Sequence, residues 1–316
     1  MQQRDWRGVL PAITTPFLDS LAVDHPRLAK HVVWLADHGC GGVVALGSLG
    51  EAATLTFDEK ISILESCKKA LGDRVPVIAG IAGLSTAECV ALAKRAASVG
   101  CDGLMVLPPY VYKGDWRESR AHFEAVIAAT PLSCMLYNNP IAYGTDVSPE
   151  QMRELAKHEN LHAVKESSGD VRRVTAIREV LDDRLMILAG MDDAVLESIP
   201  MGASGWVAGL VNAFPDESVR VFEAGRYGRW DEARALYEWF LPLLRLDTVP
   251  KFVQLIKLVQ AEIGQGNAVV RPPRLEIEGR ELSDVLAVIR AQLATRPVVK
   301  EAAPVPQRET ASSVGT

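Results

Sequence analysis

The chain has 316 residues, 48% of them hydrophobic and 23% charged, with a formal net charge of −6. That is the composition of a soluble globular protein and not of a disordered one, and the negative balance gives no electrostatic reason to expect nucleic acid. No apolar run approaches the roughly 18 residues that a membrane span needs, so neither a membrane nor nucleic acid is expected as a partner.

The first residues, "MQQRDWRGVLP", carry no signal-peptide apolar region. Five cysteines (Cys40, Cys67, Cys89, Cys101 and Cys134) are scattered, with no CxxC pair. An odd, dispersed set without an export signal predicts reduced thiols in the cytoplasm. None sits beside a histidine or in an activating turn, so they read as small core residues.

In chain order, apolar runs alternate with longer amphipathic stretches. The predicted strands are "GVLPAITTPF" (8–17), "GVVALG" (42–47), "VPVIAGI" (75–81), "GLMVLPP" (103–109), "SCMLYNN" (133–139), "LHAVKES" (161–167), "LMILAG" (185–190) and "GWVAGL" (205–210). Between them lie helical patterns of about 10–15 residues. "HPRLAKHVVWLADHG" stops at Gly39. "TFDEKISILESCKKALG" opens with Thr56 three residues before Glu59, a capping-box pattern, and stops at Gly72. "STAECVALAKRAASVG" repeats the design with Ser85, Glu88 and Gly100.

Eight near-continuous apolar strands, each followed by a helix, predict a parallel sheet covered by helices. Eight is the number that closes a (β/α)8 barrel, which typically takes about 250 residues. The predicted fold class is therefore α/β, a (β/α)8 TIM barrel over 1–214 with a C-terminal helical extension over 215–296. Residues 297–316 lack an apolar pattern and are expected to be disordered.

Active sites of such barrels lie at the C-terminal ends of the strands. Strand six ends in "KES", so Lys165 is a lysine at the end of a buried strand. Desolvation there favours the neutral amine, and a neutral amine can form a Schiff base with a carbonyl. The plainer alternative is a lysine paired with Glu166 or reaching out to the rim. Glu166 itself is expected on the opposite face, because side chains alternate. Tyr137 ends strand five beside it and could shuttle protons; the alternative is an aromatic closing the barrel top. "GSLGE" (47–51) puts Gly47, Ser48 and Leu49 in a tight turn whose backbone N–H groups could converge on a carboxylate. Gly190, in "GMDD" after strand seven, Asn139 in "YNNP" and Val207 on strand eight complete the expected substrate-binding set. Asp192 and Asp193 read as caps of the seventh helix, not as catalytic groups.

His158 and His162 are four apart but separated by a loop, and no HxH or HExxH occurs. A metal is therefore not expected. No GxGxxG or P-loop is present, so no nucleotide cofactor is indicated, and no cofactor is expected at all.

With "GSLGE", "YNNP" and "KESSG" in this order on strands two, five and six, the chain resembles the dihydrodipicolinate synthase / N-acetylneuraminate lyase superfamily, from about residue 7 to 295. The resemblance implies a barrel with C-terminal helices, usually a homotetramer. It implies Lys165 as the Schiff-base residue toward a 2-oxo acid such as pyruvate, Tyr137 as proton shuttle, and Ser48 with the Leu49 backbone as carboxylate cradle. The chain departs from dihydrodipicolinate synthases at three points. Ser48-Leu49 stands where they have paired threonines, Val111 where they have a tyrosine donated across a subunit interface, and Ala142 where they have an arginine for the aldehyde's carboxylate. Losing a bidentate clamp and a hydroxyl together argues against lysine biosynthesis. "GLVNAFPDESV" and "VRPPRLEIEGREL" look like members of hydroxyproline catabolism that deaminate 1-pyrroline-4-hydroxy-2-carboxylate to 2-oxoglutarate semialdehyde and ammonia. An uncharged pocket around Val111, Ala142 and Val207 would suit that small cyclic imino acid. Two rivals remain: a pyruvate-dependent aldolase or 2-keto-3-deoxy sugar-acid dehydratase, and a non-catalytic 2-oxo acid sensor.

Overall fold

The computed structural model describes residues 1–109 and 111–298. The expected disordered tail falls almost wholly on 299–316, outside the described residues, as does Tyr110.

Eight short strands form one parallel sheet: β1 (Gly8–Pro11), β2 (Val43–Ala45), β3 (Val77–Ile81), β4 (Gly103–Val106), β5 (Ser133–Asn138), β6 (Leu161–Glu166), β7 (Met186–Ala189) and β8 (Gly205–Ala208). They pair in the order β1-β8-β7-β6-β5-β4-β3-β2. The ring closes where Ala12 bridges Val44 and the Ile13 N–H donates to the Val44 carbonyl at 3.0 Å. This is a TIM barrel. Every residue of β2, β3, β4 and β5 is buried, which is why these strands read as continuous apolar runs and not as alternating ones.

The helices are α1 (His25–Asp37), α2 (Phe57–Leu71), α3 (Thr86–Val99), α4 (Trp116–Ile127), α5 (Pro140–Tyr143), α6 (Pro149–Leu155), α7 (Arg172–Leu181), α8 (Val195–Ser198), α9 (Pro215–Arg226), α10 (Trp230–Leu244), α11 (Phe252–Glu262) and α12 (Gly279–Ala294). The capping box of α2 forms: the Glu59 N–H donates to Thr56 Oγ1 at 3.2 Å, and the Thr56 N–H donates to the Glu59 carboxylate at 2.9 Å. At α3 only half of the pattern forms. Ser85 accepts from the Glu88 N–H, but the Glu88 carboxylate turns to the Leu84 N–H and Lys60.

The first strand is shorter than its apolar run. Past Pro11 the chain leaves β8 for β2, and Thr14 and Thr15 bond instead to Gln260 and Gly50. The C-terminal helices hold the feature that matters for the site. Helix α10 does not run directly into α11. It ends at Leu244, a 3-10 turn covers Arg245–Asp247, and residues 247–250 cross the C-terminal mouth of the barrel. Helix α11 is buried from Val253 through Gln260, as expected of a helix covered on all sides. No helix among the described residues is long and apolar enough to cross a membrane.

Candidate active site

The register lays Tyr137 of β5 beside Lys165 of β6, and Lys165 beside Leu188 of β7. Tyr137 and Lys165 therefore share one face of the sheet, the inward one. Lys165 is 7% exposed, and its Nζ stands 4.5 Å from the centroid of the Tyr137 ring. Among the described residues this ammonium has neither a hydrogen bond nor an ion pair. Burial pulls its pKa down to about 8, opposed by the negative charge of Asp247 and Asp192. An appreciable fraction is thus the free amine near neutral pH, the form that attacks carbonyl carbon. Gly190 leaves it room: a Cβ there would stand 2.9 Å from Lys165 Cε and would collide with Ser167 Oγ.

The Tyr137 phenol accepts from Asn139 Nδ2 at 2.9 Å. Burial raises its pKa above the ordinary value, against hydrogen bonds from Asn139 and the hydroxyls of Ser167 and Ser48. It stays protonated at neutral pH and can act as a proton donor.

Gly47, Ser48 and Leu49 form the turn after β2. It is bracketed by Leu46 and Glu51, both left-handed at φ 63° and 54°. Such backbone costs non-glycine residues about 1–3 kcal/mol each and needs a strong hold. That hold is the buried Glu51 carboxylate, gripped by Lys257 Nζ at 2.5 Å and the Arg271 N–H at 3.0 Å. Among the described residues the Ser48 and Leu49 N–H groups are not spent on the protein, so both are left for an anion. Ser48 Oγ bonds the Tyr143 hydroxyl, and the Tyr143 ring meets Tyr137 edge-on, 5.7 Å between centroids.

These groups line one cavity of about 190 Å³. That is below the roughly 300–1,000 Å³ of sites for drug-sized ligands and suits a small acid. Gly47, Ser48, Leu49, Tyr137, Asn139, Lys165 and Gly190 all reach it; Ile141, Ala142, Thr248, Val249 and Pro250 roof it. Val207 does not. It is buried on β8, two residues below Gly209, which does line the cavity; at about 3.3 Å per residue it belongs to the layer beneath. Val111 is 78% exposed and is not part of the lining. Of the three uncharged positions expected to shape the pocket, only Ala142 does. Glu166 turns away as alternation required, bonding Asn138 Nδ2 at 3.0 Å and the Ser168 N–H.

Asp192 is not a helix cap. Its buried carboxylate accepts from Trp206 Nε1 at 2.9 Å and from the Gly209 and Leu210 N–H groups, tying the β7 loop to β8. Burial raises its pKa to about 6 despite those bonds and Lys165. Asp247 was missed altogether: it sits between two helical patterns in "RLDTVPK", where nothing local marks it. His158 and His162 part company, one near Glu124 and the other on Ser133 Oγ. All five cysteines are buried, and burial raises their thiol pKa values.

Residues 5–292 match the Dihydrodipicolinate synthetase family. The 4-hydroxy-tetrahydrodipicolinate synthase of Haloarcula marismortui is 32% identical over 292 residues, 91% of this chain and 95% of that one. Its counterpart in Methanosphaerula palustris is 34% identical over 243 residues, 76% and 83% of the two chains. Among solved structures, a dihydrodipicolinate synthase of Bacillus anthracis superposes with a TM-score of 0.87 at 28% identity, covering 92% of this chain and 99% of that one. The chloride-inhibited dihydrodipicolinate synthase of Acinetobacter baumannii, complexed with pyruvate, gives 0.86 at 26%, covering 90% and 98%. This chain belongs to the dihydrodipicolinate synthetase family of class I, Schiff-base-forming lyases.

Proposed function

We propose that this chain deaminates 1-pyrroline-4-hydroxy-2-carboxylate to 2-oxoglutarate semialdehyde and ammonia through a Schiff base on Lys165. One observation carries the choice of substrate: among the described lining residues Lys165 is the only cation, and Ala142 offers nothing to a second carboxylate. A substrate with one carboxylate fits such a wall, and the free N–H groups of Ser48 and Leu49 suit that carboxylate.

The neutral amine of Lys165 attacks C2, and the ring C2–N bond breaks with its electron pair on nitrogen, which takes a proton. The lysine-linked iminium acidifies C3. Loss of that proton gives an enamine, and the enamine expels the 4-hydroxyl as water. Loss of a C5 proton and return of one to C3 leave a terminal enamine, which becomes the terminal imine as a proton moves from its nitrogen to C4. Hydrolysis at both imines releases ammonia, the semialdehyde and free Lys165. One water leaves and two enter, so the net change is hydrolytic. The Tyr137 phenol is the group positioned to move protons at C2 and C3.

A second reading has its own support. Relatives named 4-hydroxy-tetrahydrodipicolinate synthase match most of the chain, which favours aldol addition of pyruvate to an aldehyde. The test supplies the hydroxypyrroline and measures ammonia, in parallel with pyruvate consumption in the presence of a carboxylate-bearing aldehyde. Ammonia release without pyruvate consumption supports the deaminase; pyruvate consumption alone sinks it.

A further inference from the structure

The segment between α10 and α11 brings into the cavity a carboxyl that the chemistry above leaves unused. Asp247 ends the 3-10 turn Arg245–Asp247 and lines the cavity next to Thr248. Its Oδ1 is buried and, among the described residues, has no hydrogen-bond partner. It rests directly on Gly209 at the end of β8, where a Cβ would take its place. A buried carboxyl oxygen with nothing to bond is rare in a native protein and calls for an explanation.

The other polar groups of the wall are already engaged. Asn139 bonds Tyr137 and the Ala142 N–H. Thr248 Oγ1 donates to the Arg245 carbonyl. Ile141, Ala142, Val249 and Pro250 have no polar side chain to offer. With C2 held at Lys165 and the carboxylate at the 47–49 turn, Asp247 is the wall's unspent partner for a polar substituent farther along the chain. The charged groups facing it are Lys165 from β6 and Asp192 and Asp193 from the turn after β7. Burial and the Asp192 charge raise its pKa well above the ordinary carboxyl value, and Lys165 only partly opposes them. That direction favours the protonated form of the group.

We infer that Asp247 is a substrate-contacting residue that hydrogen-bonds the oxygen on C4 of the lysine-bound substrate and protonates it as it leaves. The inference rests on the Schiff-base reading of Lys165 and names the acid that reading lacks. In the step, the C4–O bond breaks with its electron pair on oxygen, and the Asp247 proton joins that oxygen to make water. The enamine pair at C3 becomes the C3=C4 double bond, and the lysine iminium re-forms. Asp247 is left as carboxylate and regains a proton from C5, while the proton taken earlier from C3 returns to C3.

The test uses the full chain and borohydride trapping at Lys165, counting every adduct mass. The probes are 4-hydroxy-2-oxopentanoate and 2-oxopentanoate, which differ by that one oxygen. The wild type is expected to half-saturate with the hydroxylated acid at about tenfold lower concentration, the scale of one hydrogen bond to a buried carboxyl. Asp247→Ala and Asp247→Ser, two truncations so that a folding failure in one does not end the test, are expected to level the two probes. Asp247→Asn keeps a bonding group of the same shape but no acid. It is expected to retain most of the preference and to slow ammonia release from the hydroxypyrroline by about 10²–10⁴-fold. A wild type without the preference, or a preference that survives both truncations, overturns the inference. A wild type that releases no ammonia yet shows the preference and its loss overturns the deaminase reading and leaves the Asp247 contact standing.

Discussion

Three lysines are buried among the described residues, Lys60, Lys165 and Lys257, and the surroundings of the last two could hardly differ more. Lys257 on α11 is 1% exposed and fully engaged: Glu51 at 2.5 Å, the Val269 carbonyl at 2.7 Å and the Phe17 ring at 4.3 Å. Lys165 on β6 is nearly as deep but has only the Tyr137 ring beside it and carboxyls that do not bond it. Burial lowers both pKa values. What separates them is the partner. A paired ammonium fastens structure; an unpaired one facing a cavity is poised to lose its proton. The two also cooperate at a distance, since the Lys257–Glu51 pair holds the strained turn that carries Ser48 and Leu49.

The largest expected effect is at Lys165. Lys165→Ala is expected to abolish borohydride trapping and turnover while leaving the melting temperature unchanged or raised, because it removes an unpaired buried charge. Retained turnover would take Lys165 out of the chemistry. Tyr137→Phe comes next, slowing turnover by about 10²–10⁴-fold; a change under about threefold would reduce the tyrosine to packing. Lys257→Ala sharpens the contrast from the other side. Leaving the buried Glu51 with only the Arg271 N–H and Arg274, 3.9 Å away, is expected to cost about 3–5 kcal/mol in denaturant unfolding, and adding Glu51→Gln is expected to restore part of it. If Lys257→Ala melts like the wild type, the pair is not what holds the turn. The smallest effect is electrostatic. Asp192 raises the pKa of Lys165, so Asp192→Asn is expected to move the pH midpoint of trapping downward. An unmoved midpoint would show that its charge does not reach the amine.

The barrel was legible because its physics is local and repeated. Two-sided burial writes continuous apolar runs, and caps such as Thr56–Glu59 write helix starts. Lys165 and Tyr137 followed from strand ends alone, since period-two alternation and adjacency fix which side chains meet. Val207 was misjudged because alternation gives the face of a strand and not its depth. Asp192 was read as a cap because an acid after a strand usually is one; its three donors come from β8 and the turn after it, and no local pattern encodes that meeting. Asp247 was invisible for the same reason: its role depends on where a helical extension crosses the barrel mouth. The bond of Tyr143 to Ser48 has no local signal either, since it spans the barrel top.

The most direct test of the account is pyruvate with borohydride across about pH 6–10, with the adduct mapped by peptide mass. The expected result is a single adduct, on Lys165, forming at half its maximal rate near pH 8 and about tenfold more slowly for each pH unit below. No adduct, an adduct on Lys257, or a midpoint near the ordinary lysine value of 10.5 would contradict it.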